Sequence, residues 1–362
     1  MRFVYFTHSL ASCWNHGNAH FLRGVLRDLV ARGHAVAAYE PAGAWSRQNL
    51  ERDAAAAAQA WSAAYPELAS TVYAAGADLA ALTDGADVVI VHEWNEPGLV
   101  AGLGALRKGG AGFTLLFHDT HHRAVSDPAA MRAYDLAGYD GVLAFGETLA
   151  AVYRGWGWGA RVFVWHEAAD VRLFQPPTTA TSRAGAVWIG NWGDGERTAE
   201  LEAFLLQPTA ALRLPLDIYG VRYPGEAQAL LARYGAQYRS WLPNHRAPEV
   251  FARHLLTVHV PRRFYTTGLP GIPTIRVFEA LACGIPLVSA PWTDSEGLFT
   301  PGRDYLVAAD GAAMQRHLGA LIADPALRAS LAAHGLATIR ARHTCAHRVD
   351  ELLGILNRLH AR

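Results

Sequence analysis

Residues 88–91 read Val-Val-Ile-Val with no polar residue to break the run. A strand of this kind has both faces covered, as in a parallel sheet packed between helices. The rest of the N-terminal half fits that frame. Residues 3–7 form a β-rich run, and a polar, glycine-containing loop follows over 8–18. Apolar residues then recur at Phe21, Leu22, Val25, Leu26, Leu29 and Val30. That is the i, i+3, i+4 spacing of one helix face, and Gly33 gives the helix a stop. Further strands are expected at 35–39, 87–92, 114–117 and 141–145, with Ala-rich helical stretches between them. This alternation predicts an α/β, doubly wound parallel sheet with helices on both sides.

The pattern changes near residue 170. Leu173-Phe174-Gln175-Pro176-Pro177 and the Thr-rich residues after them read as a linker. A second α/β unit begins at 186–190, with strands at 216–219, 256–260 and 286–289 and helices at 198–206, 226–234, 275–282 and 314–322. A final amphipathic helix runs through 340–347 and carries Val349, Leu352, Leu353, Ile355 and Leu356. The chain of 362 residues is therefore divided into a first domain 1–172, a second domain 173–345 and a C-terminal helix 346–362 that returns to the first domain. Two such doubly wound domains are expected to face a cleft between the C-terminal ends of their strands, where ligands of open α/β sheets bind.

Charge excludes several function classes. Lys+Arg and Asp+Glu both number 32, so the formal net charge is zero. No basic excess exists to neutralise nucleic-acid phosphates, and a hydrophobic fraction of 51% excludes intrinsic disorder. All but one of the cations are arginine, the exception being Lys108. The cysteines, Cys13, Cys283 and Cys345, are far apart, so no disulfide framework or Cys-x-x-Cys metal signature is expected. No apolar run reaches the roughly 20 residues of a membrane span, and residues 3–7 read as a strand, not as the core of a signal peptide. A reducing, cytoplasmic setting is expected.

The most specific stretch runs from Thr266 to Pro291. A Gly/Pro-rich loop enters a helix carrying Arg276 and Glu279; Gly284 stops the helix and a strand follows. Backbone N–H groups beside the positive end of a helix dipole suit a phosphate or diphosphate. Arg276 in the first turn can add a charge-assisted bond to it, and Glu279 can accept from ribose hydroxyls. The alternative is an i, i+3 surface ion pair between the two.

The run Arg276-Val277-Phe278-Glu279-Ala280-Leu281-Ala282-Cys283-Gly284-Ile285-Pro286 resembles the sugar-nucleotide motif of GT-B glycosyltransferases, in particular the spore-maturation CgeB-like group. The resemblance extends to Trp188-Ile189-Gly190-Asn191-Trp192, to Tyr219-Gly220 and to Trp241-Leu242-Pro243. It implies two Rossmann-like domains, with the acceptor on the first and the nucleotide on the second. Glu279 would contact the ribose, and Thr274 with Arg276 the diphosphate, with Arg197, Arg262, Arg263 and Arg276 available in place of a diphosphate lysine. Gly190, Asn191 and Arg197 would lie near the phosphates, Tyr219 in the donor site, and Leu242 and Pro243 near the base. Two departures stand out. The first carboxylate of a Glu-x7-Glu pair falls on Gly271, and the lysine that often binds the diphosphate has no counterpart. Arginine forks can take over its role.

A second constellation, His118-Asp119-Thr120-His121-His122-Arg123, follows the strand at 114–117. A carboxylate beside imidazoles suits a general base, with Asp119 orienting His121 or His122 or itself taking the acceptor's proton. Metal ligation and simple helix capping are the rival readings. The loop after the first strand offers His8, His16, Gly17, Asn18 and His20, of which His8, Gly17 and Asn18 are candidates for acceptor or phosphate contacts. His166, near the domain boundary, is another. Trp165 is expected to serve structure, and Trp192 and Trp241 either stack on a ligand or belong to the core.

The resemblance therefore implies transfer of a sugar from a nucleoside diphosphate donor, UDP-linked, to an acceptor hydroxyl, without metal or other cofactor. The alternatives are a GT-B-like epimerase or hydrolase of sugar nucleotides, and a noncatalytic nucleotide-sugar-binding protein of envelope assembly.

Overall fold

The computed structural model describes residues 1–14, 17–52, 54–179 and 182–361. The chain divides into two compact units, Met1–Glu167 with Cys345–Arg362, and Ala168–Thr344. In the first unit, seven strands form one parallel sheet: β1 (Arg2–Phe6), β2 (Ala35–Pro41), β3 (Ser70–Tyr73), β4 (Val88–His92), β5 (Thr114–Asp119), β6 (Gly141–Ala144) and β7 (Val162–Val164). Their order is β3-β2-β1-β4-β5-β6-β7. Every residue of β4 and β5 is buried, as expected of continuous apolar strands covered on both faces. The order reverses between β1 and β4, and the register sets His92 beside His118 at the end of the neighbouring pair.

The second unit repeats the plan with six parallel strands: β8 (Ala186–Ile189), β9 (Leu216–Tyr219), β10 (Gln237–Tyr238), β11 (Leu256–His259), β12 (Leu287–Ser289) and β13 (Leu306–Val307). The order β10-β9-β8-β11-β12-β13 reverses between β8 and β11. In each sheet the loops leaving the two strands at the reversal point form the natural ligand crevice of that unit.

The strands the sequence pattern does not announce are β3, β7, β10 and β13, and these are the four sheet edges. An edge strand pairs on one side only and is kept short. β10 and β13 have two residues each, and the middle of β3 is exposed.

Two expectations are corrected. The Leu173–Pro177 stretch is not a free linker. Phe174 is fully buried, its N–H donates to the Asp170 carbonyl (2.8 Å), and Pro176 lies against Gly284. Nor does one helix run through residues 340–347. The helix Pro325–Arg342 ends and a second, Cys345–His360, begins. Between them His343 Nε2 bonds the Leu298 carbonyl (2.8 Å) and its own carbonyl accepts from Ala169 N–H (2.9 Å). These bonds pin the chain and leave no room for helical continuity. The last helix belongs to the first unit, where Asp350 and the Ala346 carbonyl hold Arg32, at the end of the helix Ala19–Ala31.

Candidate functional site

In the first unit, the C-terminal ends of β1, β4 and β5 bring His8, His92, Glu93, His118, Asp119 and Thr120 together, all buried. His92 Nε2 lies 3.0 Å from Thr120 Oγ1 and 3.0 Å from Glu93 Oε2. His118 Nδ1 meets the Tyr5 hydroxyl at 3.0 Å, and its Nε2 has no hydrogen-bond partner among the described residues. Burial, reinforced by the neighbouring His92, pushes the imidazoles of His8 and His118 well below their ordinary pKa. Both are therefore neutral at pH 7. Thr7, His8, Ser9, Asn18, His92 and His118 are among the residues that line a cavity of about 10 Å³.

The structure places Asp119 beneath this loop. It has no exposed surface, Oδ1 accepts from the His121 N–H (3.0 Å), and Oδ2 accepts from the Tyr153 hydroxyl (2.8 Å). Burial first, and the Glu93 charge second, raise its pKa to about 8. Asp119 thus holds the turn and is shielded from any acceptor. His121 is half-buried; its ring stacks on His122 with centroids 3.9 Å apart and meets the edge of Trp94 at 5.2 Å. His122 is buried, with Nδ1 2.8 Å from Ser126 Oγ.

Asn18 precedes the helix Ala19–Ala31, but its side chain does not cap it. The amide donates to Thr120, which joins the β1 loop to the His121 turn. Gly17 lies in the same turn, whereas His16 falls outside the described residues. His20 is fully buried. His166 is half-buried and offers its carbonyl to Arg348 Nε (3.0 Å). Trp165 is buried between Phe21 and His118, a structural role.

In the second unit, the loop after β8 packs against the loop after β9. Gly190 N–H donates to the Tyr219 carbonyl (2.8 Å), the Tyr223 hydroxyl donates to Gly190 O (2.8 Å), and Asn191 Oδ1 accepts from Val221 N–H (3.0 Å). A side chain at Gly220 would run into the Gly190 carbonyl, so this close approach needs glycine. Arg197 is a strut under these loops. Its guanidinium donates to Val260 O (2.6 Å) and Asn191 O (2.7 Å), and burial lowers its pKa to about 10, Arg262 contributing second. Arg262 sits on Gly193 and donates to Glu196 (2.9 Å). Arg263 is exposed and paired with Glu200 through two contacts, at 2.6 and 3.0 Å.

The helix Ile275–Ala282 begins beside that edge. Glu279, fully buried, accepts from Asn244 Nδ2 (2.6 Å) and from Arg276 Nη1. The i, i+3 pair thus forms, but over a buried carboxylate. Asn244 directly follows Leu242 and Pro243, so one hydrogen bond ties the expected base segment to the expected ribose acceptor. Gly271 has φ +93°, and an added Cβ would fall on Ser295 Oγ. The missing carboxylate of the Glu-x7-Glu pair therefore has no place to stand. Trp192 belongs to the second unit's core.

Reading the sequence alone missed His92, Glu93, Tyr153, Asn244 and His259. His92 and Glu93 end and follow β4 just as His118 and Asp119 end β5, which was a usable signal. Asn244 and Tyr153 are polar residues defined only by distant partners. No group of three or more His, Cys, Asp or Glu side chains arranged for a metal ion occurs among the described residues. Nor is any helix among them long and apolar enough to cross a membrane.

Residues 197–354 match the family described as glycosyl transferase-like. No curated protein sequence matches the chain. Solved structures match over nearly the whole length at low identity. Sucrose-phosphate synthase from Thermosynechococcus elongatus is 16% identical, with a TM-score of 0.68 and 99% of each chain covered. HepE of Anabaena, solved with UDP and glucose, is 15% identical, with a TM-score of 0.70 and 99% of each chain covered. A glycosyltransferase from Rickettsia africae is 10% identical, with a TM-score of 0.67 over 99% of this chain and 98% of the other. The chain thus has the α/β fold of GT-B glycosyltransferases, two parallel sheets of seven and six strands, and carries a glycosyl transferase-like sequence pattern over 197–354.

Proposed function

We propose that the protein is a glycosyltransferase that moves a sugar from a nucleoside diphosphate donor, a UDP-sugar, to an acceptor hydroxyl. The observation that carries this reading is the set Asn244–Glu279–Arg276, in which Asn244 and the first-turn Arg276 meet the buried Glu279 of the helix Ile275–Ala282, inside the region of family match. Anabaena HepE, of the same fold, was solved with UDP-glucose, which supports a UDP-linked donor. The run 276–286 supports membership of the spore-maturation CgeB-like group.

On this reading Arg276 turns from Glu279 to the diphosphate when donor binds. Glu279 is then free to accept from the ribose hydroxyls while Asn244 keeps its other oxygen in place. Leu242 and Pro243 flank the base, and Gly190, Asn191 and Tyr219 line the donor edge. Thr274 and Arg263 stand at the phosphates, and Arg197 holds the loops that carry them. The anomeric carbon–oxygen bond breaks toward the diphosphate, whose growing charge is stabilised by the arginines and the helix N-terminus, with no metal or other cofactor. The acceptor is received at the C-terminal edge of the first sheet, with His8, Gly17, Asn18 and His166 as its contacts. Where transfer inverts the anomeric centre, His121 takes the hydroxyl proton, and Asp119 and His122 hold it in position. The absence of a membrane-crossing helix among the described residues is compatible with a cytoplasmic enzyme.

The test is a transfer assay with UDP-sugars over an acceptor panel. Transfer by wild type, with at least a hundredfold loss on His121→Ala (about the contribution of a general base) and donor binding retained, is expected. Interconversion or hydrolysis of the donor in place of transfer would favour the epimerase or hydrolase reading. UDP-sugar binding with no turnover would favour a binding protein.

A further inference from the structure

Thr274 is the N-cap of the helix Ile275–Ala282, yet its side chain makes no capping bond. A threonine there ordinarily accepts an N–H of the first turn. Here Oγ1 lies 3.1 Å from His259 Nε2, the last residue of β11. His259 Nδ1 lies 2.9 Å from Ser289 Oγ, which also reaches the Ala290 carbonyl at 2.8 Å. His259 and Ser289 are buried and are register partners at the ends of β11 and β12.

The hydroxyl proton of Ser289 has two acceptors, and the choice decides the rest of the chain. If it goes to Ala290 O, His259 must donate from Nδ1, Nε2 accepts, and the Thr274 proton is spent on the imidazole. If it goes to His259 Nδ1, Nε2 carries the proton and donates to Thr274 Oγ1. The Thr274 hydroxyl then has its own proton to give outward. Burial, helped by Arg197 and Arg276, lowers the imidazole pKa to about 3. The ring is therefore neutral at working pH, and its tautomer is the variable.

We propose that His259 is a positioning residue for the diphosphate: it keeps the Thr274 hydroxyl off the helix end, and an anion there selects the Nε2–H tautomer, aiming the Thr274 proton at a phosphate oxygen. The inference rests on the donor site proposed above. It explains why a residue well suited to capping leaves the helix N-terminus open.

Two measurements test it. In 15N-labelled wild-type protein, long-range 1H–15N spectra of the His259 ring are recorded with and without UDP. A change of protonated nitrogen to Nε2 on binding is expected; an unchanged tautomer with Nδ1 protonated overturns the proposal. In parallel, UDP titrations of His259→Leu, Thr274→Val and the double variant form a mutant cycle. Each single change is expected to weaken UDP about tenfold, one charge-assisted hydrogen bond's worth, and the double variant no further. His259→Gln, which keeps a donor near Nε2, is expected to recover most of the affinity. Additive losses, or a His259→Leu variant that binds like wild type, overturn the proposal and leave the donor site standing. Failure of wild type itself to bind UDP overturns the donor reading and this inference with it.

Discussion

At the C-terminal edge of the first sheet burial takes the charge from three groups: His8 and His118 are held neutral, and the Asp119 carboxyl is pushed up to about 8. At the same edge of the second sheet His259 is neutral too, its pKa lowered to about 3, but arginine–carboxylate pairs stand beside it. Arg276 faces Glu279, Arg262 faces Glu196, and glycines 193 and 220 let a guanidinium and backbone come close. The strand order reverses at the same place in both units. Topology thus gives both units the same crevice, and the residues on its edge differ. Arginines and an open helix end suit a diphosphate. Uncharged hydrogen-bonding groups suit a hydroxylated acceptor, because stripping their water costs less than stripping that of a charge.

The contrast is also one between two buried carboxyls. Glu279 is ionic, fixed by Arg276 and Asn244. Glu279→Ala leaves both donors without that acceptor, and a loss of about 3 kcal/mol is expected, the scale of breaking a buried pair; urea unfolding measures it. Asp119 has no arginine or lysine bonded to it, only a turn N–H and a tyrosine hydroxyl. Asp119→Asn near pH 6 should therefore cost less, about 1 kcal/mol. Stability differences near zero for Glu279→Ala, or larger for Asp119→Asn, would erase the distinction.

Between these lies Gly271→Glu, which restores the carboxylate of the Glu-x7-Glu pair in sequence only. With φ at +93° and Ser295 Oγ in the way, it should lose about 2 kcal/mol and gain no transfer. Wild-type stability with faster transfer would contradict that geometry.

The Asp119 contrast sharpens with pH. Its folded pKa lies above the unfolded value, at about 8. The stabilisation of the protonated carboxyl is complete below the ordinary carboxylate range and is lost as pH rises through about 8. An asparagine does not titrate, so the gap between wild type and Asp119→Asn should narrow between pH 6 and 9. A gap that widens would reverse the sign. The smallest effect is expected for Asn18→Ala. The side chain bonds Thr120 without capping its helix, so about 0.5 kcal/mol is at stake, measurable as a small shift in the unfolding midpoint.

The central strands were legible because burial on both faces writes itself as a continuous apolar run, as in β4 and β5. The edges β3, β7, β10 and β13 were not, since each pairs on one side only and, at two to four residues, is too short to show a period. The helix Ile275–Ala282 was legible to the residue. The environment of its glutamate was not, because Asn244 lies 35 positions away, just as Tyr153 lies 34 positions from Asp119. Such pairs exist only once the chain is folded. Arg197 shows the same limit: its guanidinium donates to backbone carbonyls of two loops, one of them 63 positions away.

Calorimetric titration of UDP into wild type, Arg276→Ala and His121→Ala tests the division between the two edges most directly. Saturable binding to wild type, unchanged in His121→Ala and weakened about a hundredfold in Arg276→Ala, is the predicted result. Binding abolished by His121→Ala and retained by Arg276→Ala, or no binding to wild type, would contradict it.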